Sequence, residues 1–126
     1  MTSHIPPAPT IRYLAVTLDC SDPVELAHFY SQALGLPVAH STDGFVLLGS
    51  EGSPGLGFYR LADYQPPTWP ESTVQKQAHL ELGVDDLDAA EARLIALGAV
   101  KASLQPLPNR RRILLDPAGH PFCITL

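Results

Sequence analysis

The feature that most constrains the fold of this chain is an internal repeat. When the sequence is shifted by 64 positions, identical residues coincide, among them Leu18 with Leu82, Asp22 with Asp86, Gly55 with Gly119, and Phe58 with Phe122. Each half also runs from an alternating segment through an acidic turn to a stretch that ends in Ala-Leu-Gly. Repeats of this kind set the architecture, and two copies are too few for a solenoid. We therefore predict two related halves of a single domain.

Each half is predicted to form a strand, a helix and three further strands. The first strand, residues 11–19, alternates, and Leu14, Val16 and Leu18 form its apolar face. Ser21 and Asp22 before Pro23 indicate a helix start, and Gly35 ends that helix. Further strands are predicted near residues 37–40, 45–49 and 55–61.

The second half has the same order of elements. Leu80, Leu82 and Val84 form the apolar face of a strand at residues 78–84, and Asp86 or Asp88 caps a helix that Gly98 ends. Strands are predicted near residues 100–104, 111–115 and 121–126. In both halves the apolar face is expected to pack under the helix. The opposite face mixes polar and apolar groups, which indicates either solvent or a concave cavity.

The domain organisation follows from length and from proline content. A chain of 126 residues is long enough for one domain and too short for two. Residues 1–10 are predicted to be a flexible arm without the features of a signal peptide. The domain then spans residues 11–126, with module 1 at about 11–61, a connector at 62–77 and module 2 at about 78–126. The connector contains Trp69 among prolines, and its length makes a binding role plausible.

Charge and cysteine usage narrow the function classes. A net charge of -5 argues against nucleic-acid binding, which needs a basic surface. No apolar run approaches the ~20 residues that span a membrane. Cys20 and Cys123 have no metal-binding or redox spacing, so reduced thiols in a cytoplasmic protein are expected.

Two motifs carry a family resemblance: Ala-His-Leu-Glu-Leu at residues 78–82, followed by Asp-Asp-Leu-Asp-Ala-Ala at 85–90, and Asp-Pro-Ala-Gly-His-Pro-Phe-Cys at 116–123. With them the chain resembles the vicinal oxygen chelate superfamily of glyoxalases, bleomycin resistance proteins and dioxygenases. Tyr-Gln-Pro-Pro-Thr-Trp-Pro at residues 64–70 resembles its glyoxalase-like domain branch. The resemblance implies an α+β fold in which two βαβββ modules form one curved sheet or open barrel around a cavity.

The resemblance also implies where a metal would be held. In metal-using members, the first and last strands of each module supply the ligands, and these positions fall on Ala15, Tyr59, His79 and Cys123. The 64-residue repeat supports this assignment, because it relates Ala15 to His79 and Tyr59 to Cys123. Ala15 has no donor atom, and the expected glutamate is missing from both last strands. We therefore predict no bound metal and no cofactor.

His79 is the first candidate for a functional residue. It could donate or accept a hydrogen bond with a ligand, or act as an acid or base; alternatively it is a structural remnant of a metal site. Glu81 shares its face and could orient the imidazole or simply lie in solvent. The residues predicted to bind the ligand are Tyr13, Tyr59, Trp69, Gln77, His79 and Cys123. No catalytic residue is assigned beyond the candidates His79 and Glu81.

Arg110, Arg111 and Arg112 form the only basic run. Such runs are usually solvated, but in an alternating strand one arginine must point away from its neighbours and could meet an anion. The remaining histidines, including His28 and His120, show no ligand spacing.

Three classes of function remain open. The leading hypothesis is a protein that binds a small organic ligand without a metal, as sequestering resistance proteins do. The alternative is a lyase, dioxygenase or isomerase that acts through His79, with or without a metal. A third possibility is a module that works by association. We also expect a homodimer, because Phe29 and Tyr30 give the first helix more aromatic surface than its own half needs.

Overall fold

A computed structural model describes residues 7–8, 10, 12–68 and 78–126. Over these ranges the chain forms eight strands and two helices in the predicted order. The first half contains β1 (Ala15–Cys20), α1 (Pro23–Leu34), β2 (Val38–Ser41), β3 (Phe45–Leu48) and β4 (Gly55–Arg60). The second half contains β5 (Leu80–Gly83), α2 (Leu87–Leu97), β6 (Val100–Lys101), β7 (Arg111–Leu115) and β8 (Pro121–Thr125). Neither helix is long and apolar enough to cross a membrane, within the ranges given above.

The strands form two four-stranded sheets with the same topology. Their orders are β1-β4-β3-β2 and β5-β8-β7-β6. The first and last strands of each module pair in parallel, and the other neighbours pair antiparallel. The sheets do not close into a barrel. The predicted α+β fold of two βαβββ modules is confirmed.

Both helices begin at an aspartate. The Asp22 carboxylate accepts a hydrogen bond from the N–H of Glu25 at 3.1 Å, and Pro23 occupies the first turn. Asp86, rather than Asp88, plays this part in α2, where it accepts from the N–H of Ala89 at 3.0 Å. These side chains satisfy N–H groups that a helix leaves unpaired in its first turn.

Helix α1 packs against both sheets and so joins the two modules into one core. Phe29 and Tyr30 are almost fully buried. The Tyr30 ring stacks on Phe58 of β4 with a centroid distance of 5.5 Å and contacts Phe122 of β8 edge-on at 6.2 Å. Phe29 and Tyr30 therefore give no support for a homodimer, because their surface is used inside the chain. The dimer itself stays a prediction that light scattering can test.

The first strand is shorter than predicted. Leu14 is 71% exposed, so the prediction that it packs under α1 was wrong. The reason is that β1 begins only at Ala15. Leu18 is buried, and Val16, Leu80, Leu82 and Val84 pack against the core as predicted.

Candidate functional site

A cleft of about 350 Å³ lies along β1 and the segment that follows β4. The described residues that line it are Val16, Thr17, Leu18, Asp19, Leu61, Asp63, Tyr64, Gln65, Pro67, Ala78 and His120. Consecutive residues of β1 take part although their side chains lie on opposite faces, so the cleft follows the free edge of this strand. Its volume falls in the range of ~300–1,000 Å³ that is typical of small-molecule sites.

The described wall of the cleft carries negative charge. Asp19 and Asp63 contribute exposed carboxylates, and the described lining residues include no lysine or arginine. A concave site lined by one sign of charge raises the local concentration of the opposite sign. The described part of the cleft therefore presents negative charge and no positive charge.

His120 joins the cleft to the second module. Its Nε2 lies 2.6 Å from the carbonyl oxygen of Asp19 in β1. Because a carbonyl only accepts, His120 Nε2 is the donor in this contact. The turn before β8 is thereby fixed to the edge strand of the other module.

Tyr64 supports the same turn from the cleft side. Its hydroxyl donates to the carbonyl of Ala118 at 2.8 Å and lies 3.2 Å from His120 Nε2. Burial, assisted by the nearby Asp116 charge, raises the pKa of Tyr64, so the hydroxyl stays protonated and can donate. Tyr64 thus contributes to the wall and the shape of the cleft.

A buried carboxylate holds this turn in place. Asp116 Oδ1 accepts from the N–H groups of Ala118 and His120, both at 2.9 Å. The Tyr30 hydroxyl donates to Asp116 Oδ2 at 2.7 Å. Burial raises the pKa of Asp116, although its hydrogen bonds favour the charged form, and burial also raises the pKa of Tyr30. We interpret the pair as positioning the cleft, since Asp116 is 3% exposed.

Gly119 allows the turn to approach the connector. Its φ is +88°, a region that favours glycine, and a Cβ at this position would lie 2.8 Å from Cβ of Pro66. Pro67, which follows Pro66, lines the cleft.

Most of the predicted ligand-binding residues lie outside the described cleft wall. Tyr13 is 64% exposed and Tyr59 is 50% exposed, and neither lines the cleft. Cys123 is buried in β8. Trp69 and Gln77 lie outside the described residues.

His79 and Glu81 lie close together at the start of β5. His79 Nε2 is 3.6 Å from Glu81 Oε2, and their side chains are 34% and 51% exposed. His79 directly follows Ala78, which lines the cleft. The pair is therefore near the cleft but is not part of its described wall.

The four positions that the family resemblance assigned to metal ligands do not form a donor set. Tyr59 lies opposite Asp19 in the β1–β4 ladder, whereas Cys123 lies opposite Glu81 in the β5–β8 ladder. In the same ladders Leu18 pairs with Phe58, but Leu82 pairs with Ile124. The two parallel pairs thus differ in register by two residues, so a single 64-residue shift cannot relate both Ala15 to His79 and Tyr59 to Cys123 in space.

Donor chemistry gives the same result. Ala15 offers no ligand atom, and within the described ranges no three His, Cys, Asp or Glu side chains come close enough to hold a metal ion. The described residues therefore do not fit a catalytic metal centre, which usually needs about three protein ligands.

The sequence did contain signals for the residues that do line the cleft. Asp19 shares a face of the predicted strand with Thr17, and Tyr64 belongs to the segment that carried the family resemblance. His120 shows no ligand spacing in the sequence. Its role depends on a contact with Asp19, 101 positions earlier, which no local pattern reveals.

Comparisons with known proteins agree with this fold. The family described as "Glyoxalase-like domain" matches residues 15–125. No curated protein sequence matches the chain. A solved structure of a possible glyoxalase from Bacillus cereus is 16% identical, with 93% of this chain and 100% of that one covered and a TM-score of 0.68.

Two further structures are similar. A glyoxalase/bleomycin resistance protein/dioxygenase family enzyme from Burkholderia phytofirmans PsJN is 20% identical, covering 90% of this chain and 97% of that one, with a TM-score of 0.68. A lactoylglutathione lyase from Agrobacterium tumefaciens is 22% identical, covering 94% of this chain and 95% of that one, with a TM-score of 0.60. At these identities the structures show the fold alone. Together with the family match over most of its length, they show that this chain belongs to the glyoxalase-like domain family of the vicinal oxygen chelate superfamily.

Proposed function

We propose that this protein binds a small organic ligand in the cleft beside β1, without a metal and without chemical conversion. The observation that carries the proposal is the cleft itself, which combines apolar walls from Val16, Leu18 and Leu61 with the carboxylates of Asp19 and Asp63. A mainly apolar cavity with a few polar groups is the usual composition of a small-molecule site.

The two carboxylates define the chemistry of the ligand. A cationic amine or amidine between them would form charge-assisted hydrogen bonds, which are stronger than neutral ones. The apolar walls would hold the remainder of the molecule. Sequestration rather than turnover is supported by His120, whose Nε2 is already used by the Asp19 carbonyl. We further propose a cytoplasmic location, which agrees with two reduced cysteines.

A charge-matched ligand screen tests this proposal. Thermal shift and calorimetry would compare cationic, neutral and anionic compounds of similar size, first with the wild-type protein. Asp19→Asn and Asp63→Asn should each weaken a cationic ligand about tenfold, because each removes one charge-assisted contact. Asp43→Asn is the matched control, because Asp43 is exposed between β2 and β3 and its replacement removes the same charge. Equal affinity for all three variants would rule out this cleft.

A second candidate function is supported by the His79–Glu81 contact at 3.6 Å. A carboxylate beside an imidazole can orient the ring toward a bound ligand, as general acid–base catalysis requires. The protein would then be a metal-free isomerase or lyase that moves a proton at His79. Mass spectrometry of each screening hit after incubation with wild type or His79→Ala would detect such a conversion. Unchanged hits would favour binding alone.

A further inference from the structure

The basic run at the start of β7 divides between two environments. Arg111 and Arg112 are consecutive in the strand, so their side chains lie on opposite faces of the sheet. Arg112 faces α2, where its Nη1 lies 2.8 Å from Asp88 Oδ1 and 3.5 Å from Glu91 Oε1. Its Nε also donates to the carbonyl of Pro108 at 2.9 Å. Arg112 is thus the structural member of the run.

Arg110 and Arg111 are placed differently. Both are exposed, and both line a second cavity of about 340 Å³, together with Leu107, Thr125 and Leu126. Neither guanidinium forms an ion pair with any carboxylate of the described residues. In a chain with 13 acidic and 8 basic residues, two neighbouring guanidiniums that have not been neutralised indicate a site for an anion from outside.

The backbone holds the two arginines in place. The carbonyl of Leu107 accepts from the N–H groups of both Arg110, at 3.0 Å, and Arg111, at 2.9 Å. The N–H of Leu126 donates to the carbonyl of Arg110 at 3.2 Å. A pre-ordered backbone lowers the entropic cost of binding, because only the side chains remain to be fixed.

The neighbour of Arg111 across the ladder adds an independent observation. Thr125 lies directly opposite Arg111, so the two side chains share a face. The Thr125 hydroxyl is buried and has no hydrogen-bond partner. A buried hydroxyl without a partner costs free energy. An anion in the adjoining cavity would offer it an acceptor.

We propose that this cavity binds a small organic anion. Its carboxylate or phosphate would lie between Arg110 and Arg111, and its apolar part would lie against Leu107 and Leu126. The site is formed by the start of β7 and the end of β8, and it shares no lining residue with the cleft beside β1. It is therefore independent of the function proposed above.

The test is a titration of the ¹⁵N-labelled protein followed by NMR, with hexanoate, hexanol and inorganic phosphate as probes. Hexanoate should give saturable shifts at residues 107, 109–111 and 125–126. Arg110→Gln and Arg111→Gln should each weaken hexanoate about tenfold, as expected for the loss of a charged hydrogen bond. Arg60→Gln is the matched control, since Arg60 is exposed on β4 and its replacement changes the net charge equally.

Three results would overturn the proposal. No saturable shift with either anion would mean that the cavity holds no anion. Equal weakening by Arg60→Gln would mean that only overall charge matters. Binding of hexanol as tight as that of hexanoate would remove the role of the guanidiniums. Leu107→Ala tests the apolar half, because it should weaken hexanoate and leave inorganic phosphate unchanged.

Discussion

Replacing Tyr30 with phenylalanine tests the buried contact that joins the modules. The substitution removes only the hydroxyl that donates to Asp116 Oδ2 at 2.7 Å. The ring contacts with Phe29, Phe58 and Phe122 remain. Any change in stability therefore reports the loss of one hydrogen bond to a buried carboxyl group.

The expected size follows from the burial of both partners. A hydrogen bond to a charged group contributes about 1.5–3 kcal/mol, so we expect the free energy of unfolding to fall by about 2 kcal/mol near pH 8. For a chain of 126 residues this corresponds to a fall of about 8 °C in Tm. Because burial raises the pKa of Asp116, a larger share of this carboxyl group is neutral in the folded state at pH 4, and the loss should shrink to about 1 kcal/mol.

Urea unfolding followed by circular dichroism, at pH 4 and pH 8, would measure this difference. Tyr13→Phe is the control, because Tyr13 is exposed and should tolerate the same change without effect. A Tyr30→Phe variant as stable as the control at pH 8 would refute the reasoning. So would a loss of the same size at both pH values, because it would show that the charge of Asp116 plays no part.

Three further predictions concern stability and reactivity. Burial raises the pKa of Asp116, so the protonated carboxyl group should stabilise the fold fully below its ordinary pKa of 3.8 and less as pH rises through the folded-state pKa. Asp116→Asn should remove this pH dependence from the urea midpoints. Gly119→Ala should lower the free energy of unfolding by about 1–3 kcal/mol more than Gly52→Ala does. Both glycines have positive φ, but only at Gly119 would an added Cβ lie 2.8 Å from Pro66, so equal losses would exclude this contact. Burial and nearby Asp22 raise the pKa of the Cys20 thiol to about 11, so native protein at pH 8 should be alkylated there far more slowly than unfolded protein, as peptide mapping would show.

The fold could be predicted from the sequence because its signals are local. Alternation defined the strands, and Asp22, Pro23 and Gly35 marked the limits of α1 within a residue. The repeat then supplied the second module. Leu14 was misplaced because alternation continues past the point at which β1 stops pairing with β4.

The site was predicted less well because it depends on contacts between distant segments. Asp19 and His120 meet across the module boundary, and Tyr64 reaches Ala118 from the connector. The sequence also gave no sign that the β1–β4 and β5–β8 pairs differ in register by two residues, because a shift that aligns the helices need not align the last strands. Sequence patterns report one strand at a time, whereas a cleft is a property of several.

The hydrogen bond between Tyr30 and Asp116 spans 86 positions, and this has a consequence during synthesis. The first module leaves the ribosome with Phe29 and Tyr30 already placed on α1, while Phe122, which covers them, has yet to be made. Until that strand arrives, an aromatic surface of the nascent chain is open to water and to other chains. The first module therefore cannot complete its interior until the second module has been synthesised.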